Sequence, residues 1–265
     1  SISDADGLKG LINGNVTAWN ENKSYRYQSD LDRIKAYQLE RLLTLQESGS
    51  LTPRQRHGLE TYYQARLSRD QLADFAAVLP TADALQPRVQ VTQNDNSSLL
   101  RQAQVALLGF QAGVSMAADL HVSGFDTHAD HDEDHEPMLQ HLTEAIDYLW
   151  TQAEVLGIAD RLTVFIGSDF GRTPSYNSAG GKDHWPIGSA IFMQKNAAWG
   201  NRGVGQTDDF HFAVDLDEDS LQPSAGGRHI LPGDVQLAMR VVAGIENHAT
   251  TLQFPINTGA YLDFF

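Results

Sequence analysis

Residues 162–167 read Leu-Thr-Val-Phe-Ile-Gly, and this short apolar run decides the predicted fold. Such a run, without polar alternation, is typical of a strand that is buried on both faces of a sheet. Residues 114–122 predict an earlier strand, and the amphipathic stretch 137–156 predicts a helix between the two. Strand, helix and strand form a βαβ unit, which predicts an α/β fold with a parallel or mostly parallel sheet flanked by helices.

Helical patterns lie on both sides of this unit. Apolar positions recur at helical spacing from about Ser29 to Glu47, and Gly49 follows as a stop signal. Thr52 and Pro53 supply an N-cap and a first-turn proline for a second helix that runs to about Leu79, so the two helices predict an antiparallel hairpin. The remaining predicted elements are helices at 97–112 and 232–245, strands at 187–193 and 210–214, weak strand character at 89–91, and a turn at Asn13-Gly14.

The pattern changes from helical to α/β near residue 96. We therefore predict two regions, a mainly helical N-terminal region over 1–96 and an α/β region over 97–265 that carries the candidate site. The chain begins with Ser1, and no charged and apolar leader precedes this residue. This start is expected of a mature product, an engineered product or a fragment.

Composition excludes several classes of protein. The net charge of −15 and the absence of a Lys and Arg stripe argue against a nucleic-acid partner, and the acidity is typical of a soluble surface. The chain has no cysteine, which excludes disulfides, thiolate zinc sites and cysteine nucleophiles. No apolar run approaches the roughly 20 residues that cross a bilayer, so no membrane span is predicted.

Three motifs carry residues suited to binding a metal ion. The first is Gly124-Phe125-Asp126-Thr127-His128-Ala129-Asp130-His131, the second is Ser168-Asp169-Phe170-Gly171-Arg172-Thr173, and the third is Lys182-Asp183-His184. The first two follow predicted strands, and the segments after neighbouring parallel strands meet at one edge of a sheet. We therefore expect Asp126, His128 and Asp169 to share a cleft, with the third motif close by. Mixed carboxylate and imidazole ligands suit a divalent ion with a position open to water or substrate.

Each motif also has a structural interpretation. The acidic run over 126–136 is typical of a solvated loop that leads into a helix N-terminus, where negative charge is favourable. Asp169 can cap a turn with Arg172 as its ion-pair partner, and Gly171 can serve only a positive φ angle. Asp183-His184 can be an ordinary loop dipeptide. His131, His135 and His141 can be ordinary surface histidines that bind no metal ion.

The order of the three motifs resembles the bacterial family filed as domain of unknown function 1501. The resemblance covers roughly residues 97–250, and residues 1–96 resemble the variable helical middle of such proteins. That family is placed in the alkaline phosphatase and sulfatase superfamily, whose members are metal-dependent hydrolases or transferases of phosphate or sulfate esters. The resemblance implies an alkaline phosphatase-like fold, present here in part, and a small anionic ester substrate. It also implies export through a twin-arginine signal to the periplasm.

The resemblance implies a role for each matching residue. Asp126 and His128 are implied as ligands of one ion, Asp169 as a ligand of a second or bridging position, and His184 as the residue that completes a coordination sphere. Arg172 is implied to steady anionic substrate oxygens, which its planar fork suits. The additional candidate ligands are His131 and Asp183. The expected ion is zinc or manganese, with calcium or magnesium as alternatives.

Two residues depart from the family: Trp185 follows the Asp-His pair where the family usually has a glycine, and His131 stands where an amide side chain often follows Asp-Thr-His. In addition, nothing before residue 97 resembles the early strand that brings the nucleophile. We therefore expect the chain to be the C-terminal part of a longer protein, with its nucleophile undetermined. The alternative functions are a non-catalytic binding or structural protein on the same scaffold and, more remotely, a serine hydrolase that uses Ser168.

Overall fold

The computed structural model of the chain describes residues 28–47, 51–80, 84–86, 91 and 98–265. Five α-helices lie in these ranges: α1 (Gln28–Glu47), α2 (Pro53–Val78), α3 (Leu99–Gln111), α4 (His131–Val155) and α5 (Pro232–Val242). The strands there are β1 (Thr163–Gly167), β2 (Gly171–Arg172), β3 (His184–Trp185) and β4 (Ala190–Gln194). Short 3₁₀ helices span Ala159–Arg161 and Thr251–Gln253. The described chain therefore mixes helices with small sheets, as an α/β prediction requires in general terms.

The predicted pair of N-terminal helices is confirmed. Helix α2 begins with the predicted Thr52 cap: the Gln55 N–H donates to Thr52 Oγ1 at 3.3 Å, and the Thr52 N–H donates to Gln55 Oε1 at 2.9 Å. Gln46, near the end of α1, donates to Glu60, near the start of α2, at 3.1 Å, as an antiparallel hairpin requires. The predicted features that lie outside the described residues are the Gly49 stop, the Asn13-Gly14 turn and most of the weak strand at 89–91.

The described residues fall into two compact units. The first unit holds the described residues up to Gly124 together with Pro137–Ile158, and the second holds Phe125–Glu136 together with Ala159–Phe265. The predicted boundary at residue 96 lies within 92–97, outside the described residues. All of the residues that form the candidate site below belong to the second unit.

Each unit has its own apolar core. In the first unit, Phe75 and Leu79 near the end of α2 cluster with Leu85 and with Val105 of α3. In the second unit, Leu216 and Leu262 are almost completely buried, and the rings of Phe165 and Phe192 lie 5.0 Å apart on facing strands. Among the described helices, none is long and apolar enough to cross a membrane.

The predicted strand at 114–122 is wrong. This segment has no regular secondary structure, and Met116 in its middle is fully exposed. The Gln102 side chain of α3 donates to the His121 carbonyl at 2.8 Å and accepts from the His121 N–H at 2.9 Å. The Gln102 side chain therefore pairs with the backbone N–H and carbonyl of His121, which in a sheet would pair with a neighbouring strand.

Helix α4 begins six residues before the predicted Pro137. Its first turn contains the acidic residues Asp132, Glu133 and Asp134, whose negative charge is stabilising at the positive end of the helix dipole. Pro137 lies inside the helix, where it removes one backbone donor. The acidic run is thus partly helical, and the predicted solvated loop is shorter than expected.

The predicted parallel sheet is not formed by the described strands. Strands β1 and β4 lie close to their predicted bounds, but they pair antiparallel, with Phe165 opposite Phe192. A parallel pair needs a long crossover that is usually helical, and residues 168–189 between these strands contain no helix. The predicted strand at 210–214 is reduced to an isolated bridge between Thr207 and Ala213.

Candidate metal centre

The loop with Asp126 and His128 is held along its backbone by the glycine-rich segment 177–182. The Lys182 N–H donates to the Thr127 carbonyl at 3.0 Å, and the His131 N–H donates to the Gly180 carbonyl at 3.1 Å. An antiparallel bridge pairs Ala129 with Gly180 between these bonds. The first and third predicted motifs are therefore adjacent because their loops form a short ladder, and not because they follow parallel strands.

Gly181 permits the closest approach in this ladder. A Cβ atom at Gly181 would lie 1.9 Å from the carbonyl carbon of His128 and 2.3 Å from the Ala129 nitrogen. No side chain fits at such distances, so residue 181 must be glycine for the two loops to meet.

Asn177 ties the same loops together through its side chain. Its Nδ2 donates to the His128 carbonyl at 2.9 Å and to Asp183 Oδ1 at 3.0 Å. Its Oδ1 accepts the backbone N–H groups of Ala179 and Gly181. One side chain thus fixes the loop before His184 and the backbone of His128.

The second motif reaches the site through the ribbon formed by β2 and β3. These strands pair antiparallel, with Arg172 opposite His184 and Gly171 opposite Trp185. Gly171 has no positive φ, but a Cβ there would lie 2.0 Å from the Ile187 carbonyl oxygen. The glycine therefore serves close backbone packing, and the interpretation that it serves a positive φ is wrong.

Asp126, His128 and His184 meet at the surface of the second unit. Nδ1 of His128 lies 2.8 Å from Oδ1 of Asp126, and Nε2 of His184 lies 4.0 Å from the same oxygen. One ligand atom from each residue lies within 4.8 Å of the others. All three side chains are exposed, so an ion and a small ligand can reach them from solvent.

The three donors fit a divalent ion of the zinc or manganese type. One carboxylate and two imidazoles are ligands that such ions prefer. Ligand atoms of a tetrahedral zinc site lie about 3.3 Å apart, given bonds of about 2.0–2.1 Å. The described separations of 2.8 and 4.0 Å bracket that value. Three protein ligands at an exposed position also leave room for water or substrate.

The Arg172 guanidinium donates hydrogen bonds to Asp126 and to the backbone of the two loops that carry the cluster. Its Nη2 donates to Asp126 Oδ1 at 2.6 Å and to the Phe125 carbonyl at 3.1 Å, and its Nη1 donates to the Lys182 carbonyl at 3.1 Å. The Arg172 hydrogen bond, aided by the charge of His128, holds the pKa of Asp126 below its ordinary value, although slight burial opposes this. The carboxylate is therefore ionised, as metal binding requires.

The structure does not bring the other predicted ligands into this group. Asp169 is exposed in the loop after β1 and does not belong to the cluster. Asp183 accepts a hydrogen bond from the Asn177 side-chain amide. His131 is buried, and its Nδ1 lies 2.6 Å from the Thr127 hydroxyl. Their described contacts give Asp183 and His131 a role in supporting the loops.

His131 belongs to an aromatic group that adjoins the loop of Asp126 and His128. Its ring stacks on His135 with centroids 4.4 Å apart, and the Tyr176 ring meets it edge-on at 6.1 Å. Burial is the main cause that lowers the pKa of both His131 and His135. The expectation that these two are surface histidines is therefore wrong, because His131 is buried and His135 is partly buried. His141, in the first unit, is also buried.

The three hydroxyls near the motifs are already hydrogen-bonded. Thr127 is buried against His131, Ser168 donates to the Phe170 carbonyl at 2.9 Å, and Thr173 donates to the Ser175 carbonyl at 2.9 Å. Ser168 and Thr173 thus direct their hydroxyl hydrogens at backbone carbonyls, and Thr127 is only 2% exposed, so an ester cannot reach it in this arrangement.

Sequence patterns alone missed two residues that build the site. Asn177 precedes a run of small residues, and an Asn beside Gly180-Gly181 is a turn signal that points to local hydrogen bonding. Phe170 lies between Asp169 and Gly171, and its ring stacks on His184 with centroids 4.0 Å apart. No spacing rule reveals this contact, because it depends on the register of β2 and β3.

The comparison with known families supports the predicted resemblance. The family model described as "Protein of unknown function (DUF1501)" matches residues 15–223, which is more than half of the chain. The matched range includes α1 and α2 as well as the three motifs. No curated protein and no solved structure matches the chain. The chain therefore belongs to the DUF1501 family.

Proposed function

We propose that this chain is the metal-binding part of a metal-dependent hydrolase that acts on phosphate or sulfate esters. The observation that carries the proposal is the exposed cluster of Asp126, His128 and His184, whose ligand atoms lie within 4.8 Å of one another. The resemblance of the three ordered motifs to the alkaline phosphatase and sulfatase superfamily supports the choice of substrate. A small anionic ester fits a site that is open to solvent and bordered by a cation.

Each residue of the cluster has a role in this proposal. Asp126, His128 and His184 hold one ion, zinc or manganese, with calcium or magnesium as alternatives. Asp169, exposed in the loop after β1, is a candidate ligand for a second ion. Arg172 keeps a positive charge beside Asp126, 2.6 Å away, which favours anionic esters over neutral ones.

An ion held by Asp126, His128 and His184 would supply Lewis acidity for polarising the ester and stabilising charge on the leaving oxygen. The protein supplies the fixed geometry: the loop ladder holds His128, and the ribbon of β2 and β3 holds His184. We further propose that the chain is part of a longer, exported protein with an alkaline phosphatase-like fold. In that protein, the nucleophile comes from outside the three motifs.

A non-catalytic metal-binding protein is the second candidate. The observation in its favour is that Ser168 and Thr173 donate their hydroxyl hydrogens to backbone carbonyls and that Thr127 is buried. The same cluster then binds an ion without turning over an ester.

Hydrolysis of 4-nitrophenyl phosphate and 4-nitrophenyl sulfate by the longer protein that contains this chain, with added zinc or manganese, separates the two candidates. The proposal predicts turnover that a chelator abolishes and that Asp126→Ala or His184→Ala also abolishes. Asp209→Ala, an exposed acid outside the cluster, is the matched control and keeps full activity. Tight metal binding without hydrolysis favours the second candidate, and normal turnover by either cluster variant contradicts the assignment.

A further inference from the structure

The ring of Phe170 packs face to face on the imidazole of His184. The centroids lie 4.0 Å apart, and the planes meet at 28°. At this distance the two rings are in direct contact over their faces. The contact joins a residue of the second motif to one of the three residues in the candidate metal cluster.

The register of the ribbon explains why these rings meet. Arg172 lies opposite His184 across β2 and β3, and Phe170 comes two residues before Arg172. Side chains two apart project from the same face, and diagonal neighbours across an antiparallel pair lie within reach of an aromatic ring. Phe170, Arg172 and His184 therefore share one face of the ribbon.

Phe170 is itself held in place. Its carbonyl accepts the Ser168 hydroxyl at 2.9 Å, and the adjoining Gly171 packs tightly against the Ile187 carbonyl. The Arg172 guanidinium lies over its ring, 5.4 Å from the centroid. The Phe170 residue is 37% exposed; the Ser168 and Gly171 contacts restrain its backbone, and the Arg172 guanidinium restrains its ring.

His184 packs its imidazole on this ring. Its side chain is 57% exposed, and the Asp126 Oδ1 atom is 4.0 Å from Nε2, beyond hydrogen-bond distance. Among the contacts of the described residues, no hydrogen bond fixes the imidazole. Its ring contacts are Phe170 at 4.0 Å and His128 at 4.9 Å, and the Phe170 contact is the closer and more nearly parallel.

We propose that Phe170 is a positioning residue of the candidate metal centre, orienting the His184 imidazole toward Asp126 and His128. This inference rests on the proposed metal site but not on ester hydrolysis. Groups that orient a metal-ligating histidine typically change metal affinity by 10–100-fold when they are removed. Since Phe170 acts through packing alone, we expect a loss of about tenfold.

Titration calorimetry of the purified chain with zinc tests the proposal. Phe170→Leu, which keeps apolar bulk without a flat ring, is expected to bind zinc about tenfold more weakly, and Phe170→Tyr is expected to bind as tightly as the unchanged chain. Phe212→Ala is the matched control, because Phe212 packs on Trp185, the β3 residue whose side chain projects from the opposite face to His184. Equal zinc affinity of the Leu variant and the unchanged chain overturns the proposal.

Nuclear magnetic resonance of the metal-free chain supplies a second readout. A ring that stacks on His184 shifts the imidazole proton signals, so Phe170→Leu is expected to move them and Phe212→Ala to leave them in place. Unmoved His184 signals in the Leu variant contradict the positioning role even if that variant binds zinc weakly. Weaker zinc binding by Phe170→Leu, in a chain that hydrolyses no ester, supports the positioning role and contradicts only the proposed hydrolysis.

Discussion

Two basic side chains lie beside the Asp126 carboxylate: Arg172 donates a hydrogen bond to Oδ1 at 2.6 Å, and Nδ1 of His128 lies 2.8 Å from the same oxygen. The Asp126 side chain is 74% exposed, so these contacts are open to solvent and contribute modestly to stability. Their main consequence is orientation, because they hold one carboxylate oxygen between the two histidines of the cluster. At the scale of single residues, the site is a surface feature made rigid by its neighbours.

Gly181→Ala tests whether the loop ladder positions the cluster. The new Cβ would lie 1.9 Å from the His128 carbonyl carbon, so the loops must separate. We expect a loss of about 1–3 kcal/mol of unfolding free energy, as for other overpacked sites, and weaker zinc binding. Urea unfolding and zinc titration measure the two effects.

Gly226→Ala is the control for this substitution. Nothing lies within 4 Å of a Cβ at Gly226, and its φ is not positive, so stability and zinc binding are expected to stay close to those of the unchanged chain. Equal behaviour of the two alanine variants would contradict the role of the ladder.

At the scale of elements, helix α5 begins with a buried ion pair. The Asp234 carboxylate accepts hydrogen bonds from both Nη atoms of Arg228 at 2.8 Å and from the Leu231 N–H at 2.7 Å. Arg228 also donates to the Ala260 carbonyl at 2.8 Å, so one guanidinium joins the helix start to the C-terminal segment. Burial by itself raises the pKa of Asp234, but the Arg228 and Leu231 bonds outweigh it and lower the pKa below its ordinary value.

Asp234→Asn tests the pH dependence that follows. A carboxyl with a depressed folded-state pKa stabilises the fold above its ordinary pKa of about 4, and this contribution is lost as the pH falls through the folded-state pKa. The variant is therefore expected to be less stable at neutral pH, by on the order of 3 kcal/mol. The difference is expected to shrink in strong acid. Urea unfolding across this pH range measures it, and a constant difference would contradict the assignment.

Helix α2 offers a prediction about helix propensity. Gly58 lies in its interior and is exposed, and a methyl group added there would have no neighbouring atom within 4 Å. Gly58→Ala is expected to raise the unfolding free energy by about 1 kcal/mol, because glycine is a poor helix former. Urea unfolding followed by circular dichroism measures the change, and an equal or lower midpoint would show that α2 does not limit stability.

At the scale of the whole molecule, local patterns predicted helices better than sheets. The cap at Thr52 and the helical spacing around it placed α1 and α2 within a residue or so, because these signals act within a few positions of the chain. The strand prediction at 114–122 was wrong because a strand needs a partner strand, whereas here the Gln102 side chain hydrogen-bonds the backbone of His121. Strand direction failed for the same reason, because pairing depends on distant residues.

The sequence predicted part of the candidate site, namely which residues can bind a metal ion, but not the contacts that bring them together. Asp126, His128 and His184 come together as expected, but through the ladder at Gly180 and the ribbon of β2 and β3. Asp169 does not join them in the described structure. Residue types reveal which side chains can bind a metal, whereas which of them converge depends on loop geometry that sequence patterns do not encode.

The most direct test of the central claim is anomalous diffraction from crystals of the chain soaked in zinc or manganese. The proposed centre predicts an anomalous peak within bonding distance of Asp126, His128 and His184, at about 2.0–2.2 Å from their ligand atoms. Asp126→Ala crystals treated in the same way are expected to lose that peak. Well-ordered side chains at these three positions with no peak between them would contradict the account.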